Sequence, residues 1–300
     1  MKKLVLIIIL FSSIILLPSC TKEKVEQNVN IGKLEVYCDV NLYPLLKVPF
    51  ELYTKTYPDI KFTYKLVSAR EAMRLLLSGN AKAVIVARDY LKDEDSLMKA
   101  FKVERTKINF AKDGLVFFTN TDFPVDSMNV KQIHLWLTDK NYSLTKQFPN
   151  LTFEPELVTT DLNSAVYANF ARLAAENGKI VRKIKMLPDM DQVKNYVKNN
   201  PQAIGVGFLW NVYENPDFSS IRLGYFHNDG KREMPQIVHP SWVVMDRYPY
   251  IAQFYVYVTA DMNDLPNYFA TFIKTNEEVQ KYIFSKGVVP EHAKINLLMQ

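Results

Sequence analysis

The chain has 300 residues, of which 48% are hydrophobic and 13% aromatic, enough to bury the core of one large domain or two moderate ones. The formal net charge of +5 is weak and the basic residues are dispersed, which argues against a nucleic-acid-binding protein.

The amino-terminal segment predicts export. Lys2 and Lys3 precede a stretch over residues 4–17 that is apolar apart from two serines. Because a membrane-spanning helix needs about 20 apolar residues, this stretch is too short to cross a bilayer. Residues 1–19 are therefore predicted to be a signal peptide.

The signal segment ends in LPSC at residues 17–20, which resembles a bacterial lipobox. The resemblance implies cleavage before Cys20 and lipidation of its thiol. The protein would then be a lipoprotein of the cell envelope, anchored to a bacterial membrane and facing the periplasm, with residues 20–32 as a polar lipidated tether. Cys38 would be the single remaining thiol, buried at a strand end, and no internal disulfide is expected.

Strand and helix signals alternate along the chain, which indicates an α/β protein. A capping box of Ser68 and Glu71 begins one helix, and Asp161 or Asn163 caps another. The remaining periodic segments predict strands over residues 34–38, 60–66, 83–87, 115–119, 203–210 and 254–259, and helices over residues 130–137, 191–197, 265–272 and 277–284.

The helix after the first strand is predicted to begin at one of two prolines, because proline fits the first turn of a helix. Pro44 lies close to the strand, whereas Pro49 lies further along the chain. A start near Pro49 would move the positive end of the helix dipole away from the turn at residues 38–41.

Several segments resemble segments of a known protein family, and they occur in the same order along the chain. KDGLVFFTN at residues 112–120 and MNVKQIHLWLTDKNYS at residues 128–143 look like a hinge strand and its following helix. PQAIGVGFLWNV at residues 201–212 looks like a glycine-containing strand, and residues 248–290, from YPYIAQ to GVVP, look like a C-terminal segment. Over residues 33–290 the chain therefore resembles the periplasmic phosphate-binding proteins, the substrate-binding components of phosphate ABC importers.

This resemblance implies the type II periplasmic-binding-protein fold, an α/β fold of two lobes joined by two crossover hinge strands. The first lobe would contain residues 33–117 and 243–300, and the second lobe residues 118–242. The hinge would lie at Asp113 and Gly114 on the first crossover strand.

In the resembled family, three segments hold the anion with hydroxyl and backbone N–H groups. The first is a Gly-Ser-x-Thr turn, which matches residues 38–41 here, so the glycine and both hydroxyls are replaced. Asn41 can donate through its amide, whereas Asp39 brings a negative charge towards any anion.

The second segment matches the loop at residues 87–89, where Arg88 replaces a serine and Asp89 follows it. Arg88 could bind an oxyanion through a bidentate fork of N–H groups. A surface ion pair of Arg88 with Asp89, Asp93 or Glu94 is an equally weighted alternative.

The third segment matches residues 164–167, which keep the family's serine as Ser164 but lose its threonine and arginine. Asn163 and Ser164 could offer donors to a ligand. A plain helix cap explains Ser164 equally simply and is the favoured alternative.

The resemblance implies a lipid-anchored solute-binding protein that captures phosphate or a related oxyanion between its lobes for ABC-type import. It would act as a monomer without a cofactor, close its lobes over the small anion and present it to an ABC permease. The lost hydroxyls favour the alternative of an envelope scaffold or sensor lipoprotein that reuses the fold without binding phosphate.

Catalytic and metal-binding motifs are lacking in the sequence. The histidines are scattered without the spacing of a metal site: His134, His227, His239 and His292. A nucleophile elbow, a phosphate loop and a dinucleotide fingerprint are also lacking. The chain is therefore predicted not to be an enzyme. The aromatic-rich residues 242–257 could form a sugar platform, but alternating burial in a strand explains them better.

Overall fold

The computed structural model of the protein describes residues 31–227, 229–259 and 264–291. These ranges do not include the predicted signal peptide, the predicted lipidation site Cys20, most of the predicted tether or His292. Across the described ranges, no helix combines the length and the apolar character needed to cross a membrane.

Strands and helices alternate in the first part of the chain. In order they are β1 (Gly32–Asp39), α1 (Tyr43–Thr56), β2 (Ile60–Val67), α2 (Ala69–Leu77), β3 (Ala83–Val86), α3 (Lys92–Phe101) and β4 (Arg105–Asn120). β1 lies between β2 and β3 and is parallel to both. Because β1 and β3 are parallel, the loops that follow these two strands lie at the same edge of the sheet. α2 packs on both strands.

The middle of the chain forms a second group of elements. In order they are β5 (Ser127–Asn129), α4 (Val130–Thr138), β6 (Glu156–Thr160), α5 (Ala165–Asn169), β7 (Ile184–Leu187), α6 (Met190–Asn199), β8 (Ala203–Phe208), β9 (Phe218–Ser220), β10 (Arg222–Phe226) and β11 (Arg232–Glu233). A π-helical turn over Phe170–Ala174 extends α5. β6 is parallel to β7 and β8, whereas β5, β10 and β11 form a separate small sheet.

The last part of the chain returns to the first group. Its elements are α7 (Pro240–Val244), β12 (Ile251–Thr259), α8 (Leu265–Thr275), α9 (Glu277–Ser285) and β13 (Val289–Pro290). β12 inserts between β3 and β4 and is antiparallel to both.

One long strand joins the two groups of elements. β4 pairs with β12 from Arg105 to Gly114 and with β8 from Leu115 to Thr119. The main sheet therefore runs in the order β2-β1-β3-β12-β4-β8-β6-β7. We call β1, β2, β3, β12 and β13 with their helices the first lobe, and β6, β7, β8 and β9 with theirs the second lobe. β4 belongs to both.

Aromatic side chains fill the core of the first lobe between α1, β2 and α8. Phe269 is fully buried, and its ring centroid lies 5.0 Å from that of Tyr53, 5.5 Å from Phe62 and 6.0 Å from Phe50. Burying one such ring stabilises the fold by about 1.5–3 kcal/mol. This packing fixes α1 against the sheet and so fixes the turn that precedes it.

The first helix begins at Tyr43, with Pro44 in its first turn. Pro44 already has the φ angle of a helix, and its missing N–H is not needed there. Pro49 lies inside α1 and is buried, so the alternative start near Pro49 is wrong. The positive end of α1 therefore lies at the turn after β1.

Several elements differ from the sequence-based expectation. The sequence predicted neither the helices α3 and α7 nor the strands β5, β6, β7, β9, β10, β11 and β13, and it predicted only the second half of β4. The first half of β4 contains charged residues, which suggest exposure when the sequence is considered alone. In the structure Lys107 pairs with Asp89 and Lys112 pairs with Asp246, and these partners let charged residues lie within the sheet.

Candidate functional site

The turn between β1 and α1 places a carboxylate in the interior. Asp39, the last residue of β1, is 0% exposed. Its Oδ1 accepts a hydrogen bond of 3.1 Å from the backbone N–H of Asn41, which closes the turn. Its Oδ2 is also buried and has no hydrogen-bond partner among the described residues.

The second lobe approaches Asp39 through the first residue of α5. The backbone N–H of Ala165 lies near enough to stabilise the charge of the carboxylate, without reaching the geometry of a full hydrogen bond. We call Asp39, Asn41, Arg88 and Ala165 the interlobe site, because its members come from both lobes.

Burial raises the pKa of Asp39 to about 6, since a charged carboxylate loses its hydration in the interior. The N–H groups of Asn41 and Ala165 and the positive charge of Arg88 oppose this shift, whereas the negative charge of Asp161 adds to it. The carboxylate therefore titrates close to neutral pH.

Arg88 forms a buried ion pair. The residue is 2% exposed, and its Nη atoms donate to the two carboxylate oxygens of Glu94 at 2.7 and 2.8 Å. The same guanidinium donates to the carbonyl oxygens of Ala69 and Asp89. Of the two roles considered for Arg88, the structure thus contains an ion pair, and this pair lies in the interior rather than at the surface. Direct binding of an anion by Arg88 would require this pair to open.

Asp89 is bound by residues of the first lobe. Its Oδ2 accepts from Lys107 at 2.7 Å, and its Oδ1 accepts from the N–H of Tyr90 at 2.8 Å and from the hydroxyl of Tyr257 at 3.1 Å. Burial opposes ionisation of Asp89, but the bonds from Lys107 and Tyr90 outweigh it and hold the pKa of this carboxyl below its usual value.

Ser164 is a fully buried helix cap. Its Oγ accepts from the N–H of Tyr167 at 3.0 Å and from the hydroxyl of Thr160 at 2.8 Å. The Ser164 hydroxyl itself donates to the carbonyl oxygen of Asp161 at 2.7 Å. These three bonds occupy the one donor and both lone pairs of the hydroxyl, so Ser164 holds the start of α5 in place.

Backbone groups link the lobes beside the interlobe site. The N–H of Arg70 in α2 donates to the carbonyl oxygen of Asn163 at 3.0 Å. The side chain of Asn163 is exposed, so this residue reaches the first lobe through its backbone. These contacts hold the lobes together around Asp39.

The predicted hinge residues lie where β4 changes its partner from β12 to β8. Asp113 is 0% exposed, and its carboxylate accepts from the N–H of Gly114 at 2.8 Å and of Trp210 at 3.0 Å. A Cβ atom on Gly114 would lie 2.9 Å from Cε1 of Tyr248, so only glycine fits there without displacement.

Of the predicted site residues, Asp39 and Asn41 are in contact, and Arg88 lies close enough for its charge to lower the pKa of Asp39. The structure places the side chains of Asp89 and Asn163 elsewhere and gives Ser164 a structural role. Residues that the sequence did not indicate also lie at the site. Ala165 contributes only its backbone and so leaves no sequence signal, and Glu94 was considered only as a surface partner of Arg88.

A metal site is not part of this arrangement. Within residues 31–227, 229–259 and 264–291, no three His, Cys, Asp or Glu side chains are placed to hold a metal ion together.

A sequence comparison and a structural comparison place the chain among known proteins. The model of the PBP superfamily domain matches residues 25–277. None of the curated proteins matches the chain.

Solved structures share the fold. A protein from Clostridium perfringens, described as a phosphate ABC transporter substrate-binding protein and solved with bound phosphate, has a TM-score of 0.68 and 17% identity, over 86% of this chain and 99% of that one. An ABC-type phosphate transport receptor from Vibrio cholerae has a TM-score of 0.67 and 17% identity, over 85% and 99% of the two chains. The regulatory domain of MetR, a LysR family regulator from N. meningitidis, has a TM-score of 0.55 and 12% identity, over 86% and 98%.

These similarities confirm the predicted two-lobed α/β fold of type II periplasmic-binding proteins. At such low identities the structural likeness establishes the fold alone. Because both transport receptors and a transcriptional regulator share it, the ligand has to be argued from the interlobe site.

Proposed function

This chain belongs to the PBP superfamily, and from that premise we propose that it is a solute-binding protein that captures phosphate or a related oxyanion between its lobes for ABC-type import. Two structures with the same fold are described as phosphate-binding components of ABC transport systems, which supports this proposal. The proposed role is binding without catalysis, in line with the sequence-based prediction that the chain is not an enzyme.

The observation that carries the proposal is the meeting of groups from both lobes at one buried position. The N–H of Asn41 from the first lobe and the N–H of Ala165 from the second lobe both stabilise negative charge on Asp39. Backbone N–H groups directed at one point form a concavity that suits an anion. The N–H of Asn41 is already bonded to Asp39, so an anion at this position would contact Asp39 and the N–H of Ala165. Since these two belong to different lobes, the anion would contact both only when the lobes are closed.

Closure would occur about the places where the chain passes between lobes. The proposed first lobe contains residues 33–117 and 243–300, and the second contains residues 118–242. Asp113 and Gly114 precede the point at which β4 exchanges β12 for β8, which suits a hinge.

The proposed location is the cell envelope. Lipidation of Cys20 would hold the protein, as a monomer, on the periplasmic face of a bacterial membrane, where an ABC permease would receive the anion. Mass spectrometry of the mature amino terminus tests this part, because a diacylated Cys20 is expected and a chain beginning at another residue would contradict it.

Isothermal titration of the full-length chain with phosphate and with sulfate tests anion capture. We expect binding by wild type and a loss of about tenfold or more in Ala165→Pro, which removes one N–H. Proline suits the first residue of a helix, and Ser164 before it has an extended ψ of 155°.

Lys92→Pro is the matched control, because Lys92 is the first residue of α3 and follows Leu91 with a ψ of 160°. This variant should bind anions like wild type. Absence of binding of both anions by the folded wild-type chain would overturn the proposal and favour the scaffold or sensor alternative.

A further inference from the structure

The interlobe site contains an anion of the chain's own. The Asp39 carboxylate accepts the N–H of Asn41 and lies near the N–H of Ala165, so an oxyanion in this site has to lie beside the carboxylate. We propose that the site takes up an oxyanion together with one proton, and that Asp39 holds this proton as a neutral carboxylic acid that donates to the anion. This inference rests on the proposed function and adds the specificity-determining residue.

The geometry of Asp39 leaves one atom free for such a role. Oδ1 is engaged by the N–H of Asn41 at 3.1 Å, but Oδ2 is buried without a hydrogen-bond partner, in a residue that is 0% exposed. Buried polar atoms in folded proteins are nearly always hydrogen-bonded. An oxygen without a hydrogen-bond partner at the junction of two lobes therefore indicates that a ligand supplies the missing hydrogen bond.

The charge state of Asp39 decides which ligand Oδ2 can accept. An ionised carboxylate only accepts hydrogen bonds and repels a second anion strongly in a buried site, where water does not screen the charges. A protonated Oδ2 has no net charge and donates an O–H to an oxyanion, which is a short, charge-assisted hydrogen bond. An oxyanion and an ionised Asp39 therefore exclude each other, whereas an oxyanion and a protonated Asp39 bind together.

The charged groups around Asp39 favour this protonation. Arg88, on the loop after β3, is the facing cation, but two carboxylate oxygens of Glu94 already neutralise much of its charge. Asp161, on the loop after β6, faces Asp39 with a like charge. Cys38 beside it is a buried thiol whose pKa is raised by burial, so it adds no charge near neutral pH.

Two backbone N–H groups also lie near Asp39: that of Asn41, before α1, and that of Ala165, at the start of α5. Both favour the ionised form of the carboxylate. Burial outweighs them and raises the pKa of Asp39 to about 6 in the ligand-free chain. Below that pH the acid is already neutral. Above it, each oxyanion that binds must bring one proton from solvent, so the affinity falls about tenfold for each pH unit.

Isothermal titration with sulfate between pH 5 and 8 tests the inference, because sulfate does not itself change charge in that range. For wild type we expect a constant dissociation constant below about pH 6 and a rise of about tenfold per pH unit above it. Repeating the titration at pH 7 in buffers with different ionisation enthalpies should give an uptake of about one proton per sulfate.

Asp39→Asn replaces Oδ2 with a permanent donor of nearly the same shape, so sulfate binding should lose its pH dependence and exceed that of wild type at pH 8. Asp161→Asn removes the like charge and so lowers the pKa of Asp39. The pH above which the dissociation constant for sulfate begins to rise should therefore be lower in this variant. Asp189→Asn, at the cap of α6 where asparagine is also a good cap, should reproduce the wild-type profile.

Two further outcomes separate the two proposals. Sulfate binding with a flat wild-type profile, or an unchanged slope in Asp39→Asn, would overturn the proton uptake and leave anion capture standing. Absence of sulfate and phosphate binding at every pH, in both wild type and Asp39→Asn, would overturn anion capture and the inference with it.

Discussion

Asn169 of the second lobe donates a hydrogen bond of 2.7 Å from its Nδ2 to the carbonyl oxygen of Ala87 in the first lobe. Both residues are almost completely buried, and the same Nδ2 also donates to the carbonyl oxygen of Ala165 at 2.9 Å. One side-chain amide therefore joins the loop after β3 to α5, on the two sides of the interlobe site.

Asn169→Ala should weaken the contact between the lobes. The substitution leaves the carbonyl oxygen of Ala87 without this donor, and a lost buried hydrogen bond costs about 1–3 kcal/mol. We expect lower stability in urea and a larger radius of gyration by small-angle X-ray scattering. Asn199→Ala is the control, since its amide donates to Asn195 on the exposed face of α6, and this variant should change stability by less than about 0.5 kcal/mol. Equal effects of the two variants would contradict the role of Asn169.

The ion pair of Arg88 and Glu94 predicts strong coupling between the two residues. Arg88→Met leaves a 2%-exposed carboxylate without its bidentate partner, which costs about 3–5 kcal/mol for a buried pair. Arg70 still binds Glu94 at 2.7 Å, so the lower end of that range is expected. Chemical denaturation measures the loss.

The double variant Arg88→Met with Glu94→Leu should recover most of the stability lost in Arg88→Met, because both charges are then removed from the interior. Arg74→Ala provides the comparison at the surface, where water screens its exposed pair with Glu71 and the pair should contribute little to stability. Arg88→Met with no greater effect than Arg74→Ala would refute the buried pair.

Gly114→Ala should strain the junction of β4. The added Cβ would lie 2.9 Å from Cε1 and 3.1 Å from Cδ1 of Tyr248, and overpacking of this kind costs about 1–3 kcal/mol. In a Tyr248→Leu background the ring is absent, so the same substitution should cost clearly less. A double-mutant cycle in urea measures this difference, and additive costs would show that the ring is not the cause.

The α/β class could be predicted because hydrophobic periodicity reflects burial directly, whereas the two-lobed fold was expected only from the resemblance to a known family. The strands near Leu34, Val84 and Val256 were expected and are fully or nearly fully buried. The first half of β4 was missed because Lys107 and Lys112 acquire partners only after distant segments fold beside them. Such long-range pairs cannot be predicted from sequence order and local composition.

The candidate site was less predictable than the fold. The turn at Asp39 and Asn41 was identified through the resembled family, and the structure places both residues at the interlobe site. The partner of Arg88 could not be selected from three nearby acidic residues, because the choice depends on how α3 packs. The contribution of Ala165 is a backbone N–H, which any residue type except proline would supply.

The buried carboxylates predict an unusual dependence of stability on pH. Burial raises the pKa of Asp113 to about 8, against the opposing N–H groups of Trp210 and Gly114, from an ordinary value of 3.8. Between those pH values the folded chain binds a proton that the unfolded chain has released, so stability falls as pH rises, by up to about 1.4 kcal/mol per pH unit. Urea denaturation at pH 6, 7 and 8 measures this slope for wild type. Asp113→Asn should remove most of this slope. Asp39→Asn should change the pH dependence of stability mainly below about pH 6, because burial raises the pKa of Asp39 to about 6. Stability that rises with pH between 6 and 8 in wild type would contradict a protonated Asp113 in the folded protein.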